Sequence, residues 1–187
     1  DELSSDSRKK LVPKWLSRLQ IIDSTTITLF SNLIFKGVGR HPNSGKKKGG
    51  VKVHVNIHAN ESVPSDVRFT SAATNDSFML MPTNYDSGDI LAMDRAYINY
   101  AKFEELTRRG VIYVTKMKTN LVYETVEDMM YVSPDGLVEY RVQQVIFRKK
   151  VKDGEDIVHN ARIITYADIK KTRVKLVSLL TNDMNMS

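Results

Sequence analysis

The chain has 187 residues, 41% of them hydrophobic and 27% charged, and 28 Lys and Arg against 22 Asp and Glu leave a formal net charge of +6. That length suits one domain, or one domain with a sizeable insertion, and the positive balance favours an anionic partner. The absence of cysteine excludes a disulfide framework and a thiolate zinc site, and no stretch has the pattern of a membrane span or a signal peptide, so a cytoplasmic protein with no membrane partner is expected.

Asp1 to Lys10 is polar and reads as a frayed entry. The first residue is Asp rather than Met, and the last strand-like segment stops close to Ser187, so both ends look cut from something longer. Lys14 to Leu19 suits a short amphipathic turn or the lead-in to a strand, with Trp15 as a packing anchor. The strand Leu19-Gln20-Ile21-Ile22 then runs into Asp23-Ser24-Thr25-Thr26. From Lys36 to Gly50 five glycines, Pro42 and Lys46-Lys47-Lys48 describe a flexible basic loop. It is either a solvated tip or a phosphate contact, since clustered lysines neutralise phosphates without reading sequence. Its spacing is not that of a nucleotide-binding P-loop.

Val51 to His58 alternates, with Val51, Val53, Val55 and Ile57 on one face and Lys52, His54, Asn56 and His58 on the other, as a strand requires. With no third ligand nearby, His54 and His58 read as a polar or DNA-facing surface rather than a metal site. Val67 to Thr70 is the returning strand, and Asp76 is expected to cap a short helix or loop.

The most informative stretch is Asp89 to Tyr97. An apolar run, Ile90 to Met93, leads straight into Asp94, Arg95 and Tyr97. Such runs suit a buried strand, and the first polar residue beyond one emerges at the end where α/β sheets place their sites. Ile98 to Gly110 has helical spacing, with Phe103 and Leu106 on one side, and Val111 to Thr115 is the next buried strand. Strand, helix and strand in this order predict a right-handed crossover between parallel strands. From Lys116 onward the pattern is β: Val122 to Val126, Met129 to Val132, Leu137 to Arg148, Ile157 to Tyr166 and Val174 to Thr181, with hairpin turns at 133–136 and 152–155. Arg141, Arg148, Lys149, Lys150 and Lys152 make the middle hairpin basic, through solvation or through contact with DNA backbone. These residues alone describe a basic α/β domain in which two strand-end Asp residues could share a divalent cation.

Asp23-Ser24-Thr25-Thr26, Gly50-Val51-Lys52-Val53-His54, Asp94-Arg95-Ala96-Tyr97 and Leu179-Leu180-Thr181-Asn182, in this order, resemble the catalytic domain of DDE transposases of bacterial insertion sequences, specifically the insertion-sequence-four type. The resemblance covers the chain from about Gln20. It implies an α/β, ribonuclease-H-like mixed sheet, with three antiparallel strands and then parallel ones with helices, and a β-rich insertion after the fifth strand. The implied divisions are a lead-in over 1–18, a catalytic core over 19–115, and the insertion and return strand over 116–187. It further implies metal-dependent DNA cleavage and strand transfer at element ends, with Asp23 and Asp94 as catalytic carboxylates holding Mg2+ or Mn2+. Arg95 and Tyr97 would lie beside the scissile DNA, with Lys46, Lys47, Lys48, Lys52 and His54 as further DNA contacts. The partners would be double-stranded DNA, at transposon ends and target, and other copies of the chain assembled on it, in the bacterial nucleoid.

The chain departs from the family pattern in one respect. The catalytic Glu of such enzymes follows the Leu-x-Thr-Asn strand on a helix opening Tyr-x-x-Arg, and that signature does not occur before Ser187. None of Glu124, Glu127, Glu139 or Glu155 has that context. The competing expectations are a non-catalytic DNA-binding remnant and another nuclease of the same fold.

Overall fold

The computed structural model describes residues 13–28, 50–61, 63–152, 154–170 and 173–185. In chain order the regular elements are β1 (Leu19–Thr28), β2 (Gly50–His58), β3 (Pro64–Ser71), β4 (Ile90–Met93), α1 (Tyr100–Arg108), β5 (Ile112–Lys116), β6 (Glu124–Val132), β7 (Glu139–Lys149), β8 (Ile157–Lys170) and β9 (Arg173–Thr181), with short 3-10 turns between some of them. All nine strands join one sheet in the order β3-β2-β1-β4-β5-β9-β8-β7-β6. β1, β2 and β3 pair antiparallel, while β4 runs parallel to β1, and β5 parallel to β4. β9 then joins β5 antiparallel, and β8, β7 and β6 extend the sheet as a meander. The expected order, antiparallel strands before parallel ones, is the order observed.

The middle of the sheet is packed on one side. Leu91 and Met93 of β4 and Tyr113 of β5 are buried with Ile22, Phe103, Leu106 and Tyr97 in one apolar cluster. Phe103 lies over Tyr113 with ring centroids 3.9 Å apart. Burying each such side chain contributes roughly 1.5–3 kcal/mol. The opposite face carries Ile90, Ala92, Ile112 and Val114 only half-buried, and Ile21 is 41% exposed. Parallel strands are normally covered on both faces. Among the described residues this stretch of sheet has its packed layer on one.

α1 forms where its spacing predicts. The Asn99 side chain accepts from the Lys102 N–H at 3.2 Å as an N-cap, and Phe103 and Leu106, three residues apart, share the buried face. Gly110 ends the helix at φ 71°, where a Cβ would sit 2.6 Å from Ser87 Oγ. Asn182, directly after β9, locks this corner. Its Oδ1 accepts from the Tyr113 N–H at 2.9 Å, and its Nδ2 donates to Val111 O and to Thr107 Oγ1, each at 2.9 Å.

Two expectations need correction. Trp15 is 55% exposed and anchors nothing, because it sits at the start of a 3-10 turn (Leu16–Arg18) outside the cluster. The segments expected at 122–126 and 129–132 are one strand, β6, whose pairing with β7 shifts register between Thr125 and Glu127. The turn at 133–136 is present, with Gly136 at φ 72° and Ser133 N–H donating to Val138 O at 2.8 Å. The basic loop with Lys46, Lys47 and Lys48 lies outside the described residues. No helix among the described residues is long and apolar enough to cross a membrane.

Candidate functional site

The ladder between β1 and β4 ends at Ile22 opposite Met93, and that between β4 and β5 at Met93 opposite Thr115. One residue further along each chain stand Asp23, Asp94 and Lys116, all exposed. Three neighbouring parallel strands thus bring an Asp, an Asp and a Lys to the same rim. Adjacent strands lie about 4.8 Å apart, so the two Asp backbones are neighbours there. Ile22 and Met93 are buried just before them and pin the backbone there; β1 itself does not end at Ile22, as expected from its apolar run, but continues to Thr28 because it stays paired with β2.

Each carboxylate is oriented by its own backbone. Asp23 Oδ1 accepts from the Ser24 N–H at 2.8 Å, and Asp94 Oδ1 accepts from the Ala96 N–H at 2.9 Å, which caps the 3-10 turn Arg95–Tyr97. Asp94 is therefore a capping residue as well as a rim carboxylate, the two roles resting on different oxygens. The donor set fits a hard divalent cation, which takes a few carboxylate oxygens on rigid supports and keeps several waters. Among the described residues no group of three or more His, Cys, Asp and Glu side chains is placed to hold a metal. The rim supplies two acidic side chains.

Behind the rim lies a buried polar network that the strand pattern of β2 does not reveal. Tyr97 is fully buried, and its hydroxyl lies 3.0 Å from His54 Nδ1, while His54 Nε2 lies 2.9 Å from Thr70 Oγ1. Burial drives the Tyr97 hydroxyl far above the ordinary phenol range, with the nearby Asp76 and Asp23 carboxylates adding to the shift. His54 is 4% exposed, and its pKa is lowered, first by burial, against a raising effect of Asp76 and with a further lowering by Lys52. Lys52 Nζ pairs with Asp76 Oδ1 at 2.8 Å and donates to Thr74 O at 3.0 Å.

Three expected DNA contacts therefore face inward. Tyr97 and His54 are buried and bonded to each other, and the Lys52 side chain, 13% exposed, is committed to Asp76. The reason is the segment after β3, whose 3-10 turn (Asp76–Met79) brings Asp76 onto the polar face of β2. Asp76 is no cap; Asn75 has that role, accepting from the Ser77 N–H at 3.1 Å. Arg95 remains exposed beside Asp94. Sequence reasoning passed over Lys116, although it follows an apolar strand just as Asp94 does.

A second buried network ties the meander to α1. His159 is fully buried between Glu104, whose Oε1 meets Nδ1, and Tyr113, whose hydroxyl lies 2.6 Å from Nε2. The carboxylate can only accept, so Nδ1 carries the proton and the Tyr113 hydroxyl donates to Nε2. Burial lowers the His159 pKa, and Glu104 opposes that shift.

A family model described as "Transposase DDE domain" matches residues 14–184. A probable transposase for insertion sequence element IS5377 from Geobacillus stearothermophilus is 28% identical over 103 residues, 55% of this chain and 26% of that protein. A piggyBac transposase in a synaptic complex with hairpin DNA aligns over 90% of this chain and 34% of its own, at 10% identity and a TM-score of 0.45. The chain thus spans about a quarter to a third of the length of these relatives.

Proposed function

The chain belongs to the transposase DDE domain family, and from that premise we propose that it is the catalytic domain of an insertion-sequence transposase of the insertion-sequence-four type. It would cleave phosphodiesters at element ends and transfer the freed strand to target DNA. One observation carries this reading: Asp23 and Asp94 follow directly on the paired residues Ile22 and Met93 of adjacent parallel strands. The strand order supports a ribonuclease-H-like core over 19–115, with 116–187 as a β-rich insertion and return strand and 1–18 as lead-in.

Asp23 and Asp94 are the residues that would hold Mg2+ or Mn2+. When bound, such cations stabilise the charge that in-line displacement builds on the entering and leaving oxygens. The Ser24 and Ala96 N–H groups hold one oxygen of each carboxylate, so the other is presented in a fixed direction. Arg95, exposed beside Asp94, faces the position of the scissile phosphate, and Lys46, Lys47 and Lys48 supply further phosphate contacts. The family pattern includes a third carboxylate, on a helix whose signature does not occur up to Ser187. Double-stranded DNA is the partner, bound by an assembly of copies in the cytoplasm and on the nucleoid.

A non-catalytic DNA-binding role is the second reading, favoured by the two-ligand rim. Mn2+ titration followed by paramagnetic broadening separates the two. Binding in the unmodified chain that disappears in Asp94→Asn supports the catalytic reading, and equal broadening in both proteins refutes the assignment of Asp94.

A further inference from the structure

We propose that the groove lined by Arg95, Lys116, Lys118 and Lys175 is the track on which the phosphate backbone of a DNA strand lies as it passes the Asp23–Asp94 rim, gripped without regard to base sequence. The identity of the occupant rests on the function proposed above; the existence of an anion track rests on the groove itself.

The groove has a volume of about 440 Å³ and is walled by the end of β5, the segment after it, and β9. Arg95 directly follows Asp94, and Lys116 stands at the rim level of Asp23 and Asp94 on the next strand. The groove therefore begins where the carboxylates are. Beyond β5 the chain stays tied to β9, because the Met117 N–H donates to Ser178 O at 2.9 Å. This bond keeps the segment that carries Lys118 beside β9, which carries Lys175, and both lysines line the groove.

The charge of this groove is not internally balanced. Four cations outside the groove are paired with acids: Lys52 with Asp76, Arg68 with Asp66, Arg141 with Asp128 and Arg148 with Glu124. Among the described residues no carboxylate forms an ion pair with Arg95, Lys116 or Lys118, and none lines the groove. Lys175 stands across from Asp168 in the β8–β9 register, so its charge is the most shared of the four. Like charges gathered in a concave site repel one another and raise the local concentration of anions. Tyr123 and Leu176, 36% and 72% exposed, line the same groove. Exposed apolar groups among cations suit a ligand with alternating charged and apolar parts, such as phosphates joined by sugars.

The test measures binding of the 187-residue chain to a duplex of arbitrary sequence over a salt series, with no divalent cation present. In Lys116→Gln/Lys118→Gln/Lys175→Gln, affinity at moderate salt should fall about 10- to 100-fold, and the slope of log affinity against log salt should shrink by about 3, nearly one per lost phosphate contact. The loss should be equal on any sequence, and Lys116→Arg/Lys118→Arg should bind within about threefold of the unmodified chain, because arginine also neutralises phosphate. Arg108→Gln, at the end of α1 just before β5 begins and so at the rim opposite Lys116, should change affinity by less than about threefold. Unchanged affinity and slope in the triple variant of a chain that binds DNA would overturn the track alone. A chain with no affinity for DNA would overturn the proposed function together with it.

Discussion

The rim formed by the middle of β1 and the carboxyl ends of β4 and β5 belongs to the same sheet as the meander of β6 to β9, yet the two are built on opposite terms. β4 and β5 are four and five residues long, parallel, and apolar up to their last residues, so each delivers one charged group to a fixed place. The meander strands are nine to fourteen residues long and antiparallel, and β6 is exposed along its whole length. Its cross-strand pairs, such as Arg141 with Asp128, are solvent-facing and stabilise little. Short buried strands fix positions of chemistry, while long half-exposed ones shape a surface. Between them His159 reaches from β8 to the Tyr113 hydroxyl and Glu104, so the meander is held by a buried network at its inner edge.

The sharpest way to break this contrast is to alter the rim. Asp94→Asn should reduce metal-dependent cleavage by about 10³-fold or more, equivalent to about 4 kcal/mol of transition-state stabilisation. The assay needs element-end DNA and a chain carrying the third carboxylate. The melting temperature should hardly move, because Asn caps the 3-10 turn as well as Asp does. A variant that cuts at the unmodified rate would remove Asp94 from the chemistry.

The inner edge of the meander should respond in the opposite sense, through stability. His159→Ala leaves the Tyr113 hydroxyl and Glu104 without their shared partner and opens a cavity, at a cost of about 2–4 kcal/mol in urea unfolding. Arg141→Ala, in an exposed pair, should cost no more than about 1 kcal/mol. Equal costs would mean that the two halves of the meander are held alike.

Acid should act on both buried networks, through His54 in one and His159 in the other. His54 and His159 both have folded pKa values below the usual histidine value, so near neutral pH they are uncharged in folded and unfolded chains alike. As pH falls below about 6.5 the unfolded chain takes up protons first, and stability declines, by at most about 1.4 kcal/mol per pH unit for each histidine. His159→Gln should flatten the decline between pH 6.5 and 5, as followed by chemical denaturation. An unchanged profile would place the sensitivity elsewhere.

The smallest effect should come from Tyr97→Phe. It removes one buried hydroxyl that meets His54, at a cost of about 1 kcal/mol, and DNA affinity should stay within about twofold because that ring has no exposed surface. A large loss of DNA affinity with intact stability would reverse the inward assignment of Tyr97.

Much of the frame was legible because it is local. The apolar run of Ile90 to Met93 ending at Asp94, the helical spacing of Phe103 and Leu106, and the Ser133 to Gly136 turn each follow from neighbours in sequence. The polar face of β2 was legible as polar and misleading as to environment. Alternation shows that Lys52 and His54 share a face, but not that the turn after β3 folds over it. Lys116, Lys118 and Lys175 could not be grouped by spacing, because nearly sixty residues and three hairpin connections separate the first two from the third.

What the sequence determined by itself is where each apolar run ends and which charge follows it: Asp23 after Ile22, Asp94 after Met93, Lys116 after Thr115. Periodicity and a single polar residue following an apolar run are properties of the chain alone. Only the tertiary structure decided that these three ends meet on adjacent parallel strands, and that Tyr97 and His54 turn inward to each other. Register between distant strands and the side on which a covering segment packs are set by burial of the whole core.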